Sequence, residues 1–323
     1  MRAIRLAANG GPDVLDLVDL PDPEPGPGQL LVRQAAIGVN YIDTYHRSGL
    51  YPLRLPSGLG MEGAGEVVST GEGVSRFAPG DRVAFASGPI GAYADLHVVD
   101  AGRAVSIPHG VDDRTAAAAL LKGMTAEFLL LRCRPVTAGE TVLIHAAAGG
   151  VGQIMVQWAK ALGAVVIATA GHPDKAARAR DLGADHVILY GEQDVAEEVR
   201  RITGGAGVPV AYDSVGAATF EGTLASLSRR GVFVSFGNAS GPPPAVEPGR
   251  LMRMGSLFFT RPTLADYVAT TAELDASAAA VFSRIASGDI SIEIGQTFPL
   301  SQARAAHRAL EARQTIGSTL LIP

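Results

Sequence analysis

The residues with the clearest chemical potential run from Gly139 to Gln153. There Thr141-Val142-Leu143-Ile144-His145 is followed by Ala146-Ala147-Ala148-Gly149-Gly150-Val151-Gly152-Gln153. An apolar run that enters a small-residue turn and leaves as an amphipathic helix brings bare backbone N–H groups to the helix start, where the helix dipole also favours negative charge. This is the chemistry of a pyrophosphate cradle. The dinucleotide fingerprint Gly-x-Gly-x-x-Gly is met with Ala147 in the first position, which widens the turn slightly, and with Gly149 and Gly152 in the other two. Ala148, Gly150 and Val151 supply the remaining backbone of the turn.

A second group specifies which dinucleotide is held. A site for NAD ends its second strand in Asp or Glu, which binds the ribose hydroxyls. Here that strand ends Ala168-Thr169-Ala170-Gly171, and Lys175 follows one helical turn later to pair with a 2′-phosphate. NADPH is therefore expected. Asp174, directly after Pro173, reads as a helix-start residue. A third group is Asn40, Tyr45 and Tyr51: the two tyrosines can flank a planar ring, and Asn40 can bond a carboxamide or a substrate.

These groups need elements to hold them. A chain of 323 residues suits two domains. Its first third is a series of short strand patterns, at Val14–Leu20, Leu30–Ile37, Gly65–Thr70, Arg82–Phe85 and Ala92–Val99, spaced as in a barrel or sandwich. From Thr141 the rhythm changes to strands alternating with helices. Strands are expected at Thr141–Ala146, Val165–Thr169, His186–Leu189, Val208–Asp213, Gly231–Phe236 and Ser256–Thr260, the pattern of a doubly wound parallel sheet. Helices at Leu264–Ser287 and Ser301–Arg313 and a strand at Ser318–Ile322 are too few for a third domain and are expected to return to the first.

Composition narrows the function. The apolar share of 47% with 18% charged residues is that of a globular protein, and the net charge of −5 without a basic stripe argues against nucleic acid as a partner. No apolar run reaches membrane-spanning length, and Met1-Arg2-Ala3-Ile4-Arg5-Leu6 leads straight into a strand, so a cytoplasmic protein is expected. The single cysteine, Cys133, excludes an internal disulfide framework and a multi-cysteine zinc site, and no two of the seven histidines form a His-x-x-x-His pair. The Phe258-Phe259 pair at the last sheet position would be an exposed apolar edge, which pairing across a two-fold axis in a homodimer would cover.

The segment Gly139–Lys160, with Gln157 and Trp158-Ala159-Lys160, resembles the signature of the quinone oxidoreductase and zeta-crystallin branch of the medium-chain dehydrogenase/reductase superfamily. The resemblance continues through Asn40-Tyr41-Ile42-Asp43-Thr44-Tyr45, Ser48–Pro52, Pro56–Gly65, Tyr212-Asp213-Ser214-Val215-Gly216, Ser235-Phe236-Gly237-Asn238 and Thr260-Arg261-Pro262. It implies a GroES-like β-barrel catalytic domain over 1–124 and 263–323, and a Rossmann NADPH-binding domain over 125–262. It also implies cofactor contacts from Tyr41, Ile42, Asp43, Thr44, Lys122, Thr125, Gly171, Lys175, Tyr190, Ser214, Val215, Phe236, Gly237, Asn238, Thr260, Arg261 and Arg313, with His145 nearby. Zinc-dependent relatives carry Cys and His where this chain has Asn40 and Met61, so no metal is expected, and Glu62 is expected to serve the turn Gly60–Gly65. The implied activity is zinc-independent reduction of a quinone by NADPH. Reduction of an enone or alkenal is the alternative within enzymes, and an RNA-binding or structural role like that of zeta-crystallins is the alternative outside them.

Overall fold

A computed structural model describes residues Met1–Pro323. Contacts divide the chain into two units, Met1–Met124 with Val268–Pro323, and Thr125–Tyr267.

In the first unit the eleven-residue strand Gln29–Val39 is the organiser. Its leading half pairs with Leu96–Asp100 and its whole length with Glu62–Thr70, all antiparallel. The sheet continues through Arg82–Phe85 to Ala104–Ser106. On the other side the final strand Ser318–Ile322 pairs with Ile37–Val39, so the end of the chain closes on its beginning. One core cluster shows the same closure, since Ile4, Leu15, Ile37 and Tyr93 pack with Leu300, Ala306 and Leu321.

The second unit is a six-stranded sheet in the spatial order His186–Leu189, Val165–Ala170, Thr141–Ile144, Val208–Asp213, Leu227–Ser235 and Phe258–Thr260. Every pairing is parallel. Val142, Leu143, Ile144, Val166 and Ile167 are fully buried, as strands covered by helices on both faces require. The strand order reverses direction beside Thr141–Ile144, which places a crevice at the carboxyl ends of the strands there.

Several expected boundaries shift for local reasons. Pro12–Val14 is a 3₁₀ turn, which leaves only Asp16–Asp19 of the first expected strand. Ser256 has φ of 61°, which no strand tolerates, so the edge strand starts at Phe258. The helix expected over Leu264–Ser287 breaks into Leu264–Tyr267 and Thr271–Ala286, because Thr270 and Glu273 form a capping box that starts a new helix. The short piece belongs to the second unit: Tyr267 stacks on Phe128 at 4.3 Å, and its carbonyl accepts from Arg132. The units therefore part after Tyr267, five residues beyond the boundary read from the sequence.

Candidate active site

In the second unit the strand Thr141–Ile144 ends in a turn whose left-handed residue is Ala146, at φ 52°. Ala147, in the position usually held by glycine, is fully buried and escapes that conformation. The helix Gly150–Ala161 then begins at Gly149 with no side-chain cap and no acid in its first turn, so its leading N–H groups face outward for an anion. A side chain at Gly152 would put Cβ 2.3 Å from the Ala146 carbonyl oxygen, so only glycine lets the helix start this close to the turn.

The expected cofactor residues of this unit follow the carboxyl ends of successive parallel strands. Gly171 follows Val165–Ala170, Tyr190 follows His186–Leu189, Ser214 and Val215 follow Val208–Asp213, Phe236 to Asn238 follow Leu227–Ser235, and Arg261 follows Phe258–Thr260. Parallel pairing brings all of these loops to one edge of the sheet. Tyr190 lies over Gly171, where a Cβ would come within 2.2 Å of the phenol oxygen. Lys175 stands in the first turn of the helix Pro173–Asp181, whose N-cap is His172, with Asp174 beside it at the helix start. Arg261 donates to the Gly237 carbonyl at 3.1 Å and so ties two of the loops together. These residues fit a dinucleotide with a 2′-phosphate: the helix start and loop N–H groups would hold the diphosphate, and Lys175 and Tyr190 the phosphate on the ribose.

Beneath these loops lies a residue not singled out in the sequence. Asp213 Oδ1 accepts from the N–H groups of Val215 (2.7 Å) and Gly216 (3.1 Å), and Oδ2 accepts from Thr219 and Thr223, which fixes the Ser214–Gly216 loop. The signal was an Asp at a strand end before Ser-Val-Gly, an Asx-turn pattern. His145 is buried with Thr169 at Nδ1 and Thr223 at Nε2, and burial lowers its pKa. It is a packing and hydrogen-bonding residue of the sheet end.

In the first unit the helix Tyr41–Ser48 carries Tyr41, Ile42, Asp43, Thr44 and Tyr45 and starts from a capping box between Asn40 and Asp43. Asn40 Nδ2 donates to Glu62 Oε2 at 2.8 Å, so the amide expected to face a substrate is committed to a neighbouring carboxylate. Glu62 accepts at the same oxygen from Lys122 Nζ (2.9 Å) and at Oε1 from the Leu121 N–H (2.7 Å). Glu62 is fully buried, and its role reaches beyond the turn expected for it. Tyr45 and Tyr51 were expected to flank a planar ring. Instead their rings meet edge to face, 5.2 Å apart at 61°, with Tyr45 buried and Tyr51 half-buried. Arg313 lies within electrostatic reach of Tyr41, whose pKa burial raises and Arg313 lowers.

Behind this helix runs a chain of hydrogen bonds that the sequence did not reveal. Arg47 donates to His307 Nδ1 at 2.9 Å and pairs with Glu311. That leaves the imidazole proton on Nε2, 3.1 Å from the Tyr93 hydroxyl, which in turn donates to Asp43 Oδ2 at 2.9 Å. Asp43 Oδ2 also accepts from the Asn40 N–H, whereas Oδ1 is buried without a partner. Burial pushes the Asp43 carboxyl up to about 7, against the opposing bonds from Asn40 and Tyr93 and the charge of Lys122. Burial and the Arg47 charge hold His307 down at about 3.

Zinc does not fit this cluster. Met61 offers a thioether, Asn40 turns its amide nitrogen to Glu62, and the Glu62 carboxylate already accepts from three donors, one of them an ammonium.

Comparison with known proteins agrees with the two-unit fold. Residues 26–109 match the alcohol dehydrogenase GroES-like domain, and residues 150–283 match the zinc-binding dehydrogenase domain. The chain is 52% identical to a quinone oxidoreductase of Pseudomonas aeruginosa over 100% of its own length and 99% of that protein's. It is 44% identical to a 2-haloacrylate reductase of a Burkholderia species, covering 97% and 96% of the two chains. Among solved structures, that of Escherichia coli quinone oxidoreductase complexed with NADPH superposes with a TM-score of 0.98 at 47% identity, covering 100% of both chains.

Proposed function

The chain belongs to the quinone oxidoreductase family of the medium-chain dehydrogenases/reductases, and from that premise we propose that it is a zinc-independent NADPH:quinone oxidoreductase. The observation that carries the reading is the nucleotide edge of the second unit. An uncapped helix start stands beside a strand end without an acid, where Tyr190 lies over Gly171 and Lys175 follows in the first turn of the next helix. When bound there, NADPH supplies a hydride at its nicotinamide ring. Ala148 to Gly152 hold the diphosphate by backbone N–H groups, and Lys175 selects the 2′-phosphate by charge. Ser214, Val215, Phe236, Gly237, Asn238, Thr260 and Arg261 line the same sheet edge and orient the rest of the cofactor. Tyr41, Ile42, Thr44, Lys122, Thr125 and Arg313 complete the set of cofactor contacts, and the fully buried Asp43, expected among them, serves instead by capping the start of their helix. Tyr51 offers its half-buried ring to the acceptor, with Tyr45 as its edge-on support. Asn40 positions Glu62 and the start of its own helix.

A metal is unnecessary in this scheme because a quinone is electron-poor and accepts hydride without Lewis-acid activation. The full-length likeness to a 2-haloacrylate reductase favours one second reading, reduction of a conjugated carbon–carbon double bond on the same scaffold. The protein is further read as a cytoplasmic homodimer. Phe258 and Met252 are both largely exposed at and beside the edge strand, and pairing two such edges would cover them. No helix is long and apolar enough to cross a membrane.

Steady-state turnover with NADPH and 1,4-benzoquinone, set against an alkenal and against NADH, tests the reading. Turnover of the quinone with NADPH well above the other pairs is expected. Turnover of the alkenal alone would move the assignment to the second reading. Metal analysis should find no stoichiometric zinc, and one zinc held per chain would contradict the metal-free site.

A further inference from the structure

We propose that Lys122 is the proton donor to the reduced quinone, an assignment that rests on the quinone-reductase reading. Lys122, Glu62 and Asn40 are all at least nine-tenths buried. Glu62 accepts three hydrogen bonds, two on Oε2 and one on Oε1. Lys122 is incomplete. Its ammonium has three N–H bonds, and Glu62 is the only protein acceptor the structure gives it. A buried ion pair of this kind is seldom retained for stability, because two apolar side chains of the same volume serve at least as well. A buried ammonium with unused donors calls for an electron-rich atom from outside the protein.

Asn40 and Glu62 fix where that atom must come. Both Asn40 Nδ2 and Lys122 Nζ lie on Glu62 Oε2, so the ammonium is held directly beside the start of the helix that carries Tyr41 and Tyr45 and packs against Tyr51. Asp43, the other carboxyl within electrostatic range of Lys122, accepts from Tyr93 and Asn40 at Oδ2, and no hydrogen bond joins it to Lys122.

The reaction supplies the missing acceptor. Uptake of a hydride equivalent leaves the quinone as a hydroquinone monoanion, with negative charge on oxygen. One N–H bond of Lys122 breaks as the O–H bond of the hydroquinone forms, and the electron pair of the broken bond stays on Nζ. The neutral amine regains its proton from solvent, so one quinone, one NADPH and one proton give hydroquinone and NADP⁺. Before transfer, the same ammonium stabilises the developing oxyanion.

Removing Lys122 alone would strand the Glu62 charge and risk unfolding, so the informative protein is K122M/E62Q, in which both charges vanish together. Its melting temperature should match wild type, and because Lys122 is also among the cofactor contacts, its NADPH dissociation constant is read by fluorescence and kcat is compared with both proteins saturated in NADPH. Its kcat for 1,4-benzoquinone should fall by about 100-fold, the range for a lost acid catalyst or oxyanion donor. A readout independent of turnover is the ionisation of bound 4-nitrophenol, followed by its phenolate absorbance. The wild type should favour the phenolate, and the double variant should not. Equal kcat and equal phenolate ionisation in the two proteins would show that Lys122 only neutralises Glu62 and would overturn the proposal. Wild-type protein that binds NADPH but reduces no quinone would overturn instead the reading on which it rests.

Discussion

Replacing Asp43 by Asn should change how stability depends on pH far more than it changes stability at any one pH. Asp43 is fully buried, and burial lifts its carboxyl from 3.8 to about 7. In the unfolded chain the same group ionises near its ordinary value of about 3.9. Between these limits the folded protein keeps a proton that the unfolded chain has released, so rising pH weakens the fold. At about 1.4 kcal/mol per pH unit, the loss between pH 5 and the folded value near 7 is roughly 3 kcal/mol. His307, held at about 3, and His97, held at about 4, act in the opposite direction. Below about 6.5 the unfolded chain takes up protons that these buried rings refuse, so their contribution is present at neutral pH and is lost on acidification.

In wild type the two trends offset each other, and Asp43→Asn removes only the first. The stability of the variant relative to wild type should therefore rise by roughly 3 kcal/mol between pH 5 and pH 8. Any fixed effect of the amide on Tyr93 and Asn40 cancels in that difference. Urea unfolding should be followed by circular dichroism, because the only tryptophan, Trp158, lies in the second unit and reports on that unit alone. A parallel pH profile for the two proteins would refute the buried, proton-retaining Asp43.

Lys175→Ala should raise the Michaelis constant for NADPH by tenfold or more while NADH is nearly unaffected, given about 1.5–3 kcal/mol for a charged hydrogen bond; equal loss for both cofactors would remove the phosphate assignment. Gly152→Val should abolish NADPH binding by fluorescence, because its Cβ would meet the Ala146 carbonyl at 2.3 Å; unchanged affinity would show that the turn yields. Tyr51→Phe should lower kcat and kcat/KM together and leave the melting temperature within the small range of a benign substitution; an unchanged kcat with a shifted melt would make Tyr51 a packing residue. Phe258→Lys should convert a homodimer seen by light scattering into a monomer; a wild type already monomeric at micromolar concentration would dispose of the dimer.

The nucleotide edge was legible in the sequence because its information is local. Strand, turn and helix succeed one another within Thr141–Ala161, and a missing acid after Val165–Ala170 can be read without knowing any distance. The parallel sheet followed from the strand–helix alternation, since that rhythm admits few other topologies. Element ends were less certain, because a single residue such as Ser256 at φ 61° or Thr270 at a cap decides them. The first unit's site lay beyond local reading. Arg47, Tyr93 and His307 are linked to Asp43 over separations of up to 260 residues, and nothing in their neighbours marks them as partners. Glu62 and Lys122 are likewise 60 residues apart, and only the folded sheet and helix bring their charges to 2.9 Å. Local sequence determined which backbone could cradle a dinucleotide. Tertiary structure decided which charges would be buried together, because the energy of a buried charge depends on the partners that folding brings to it.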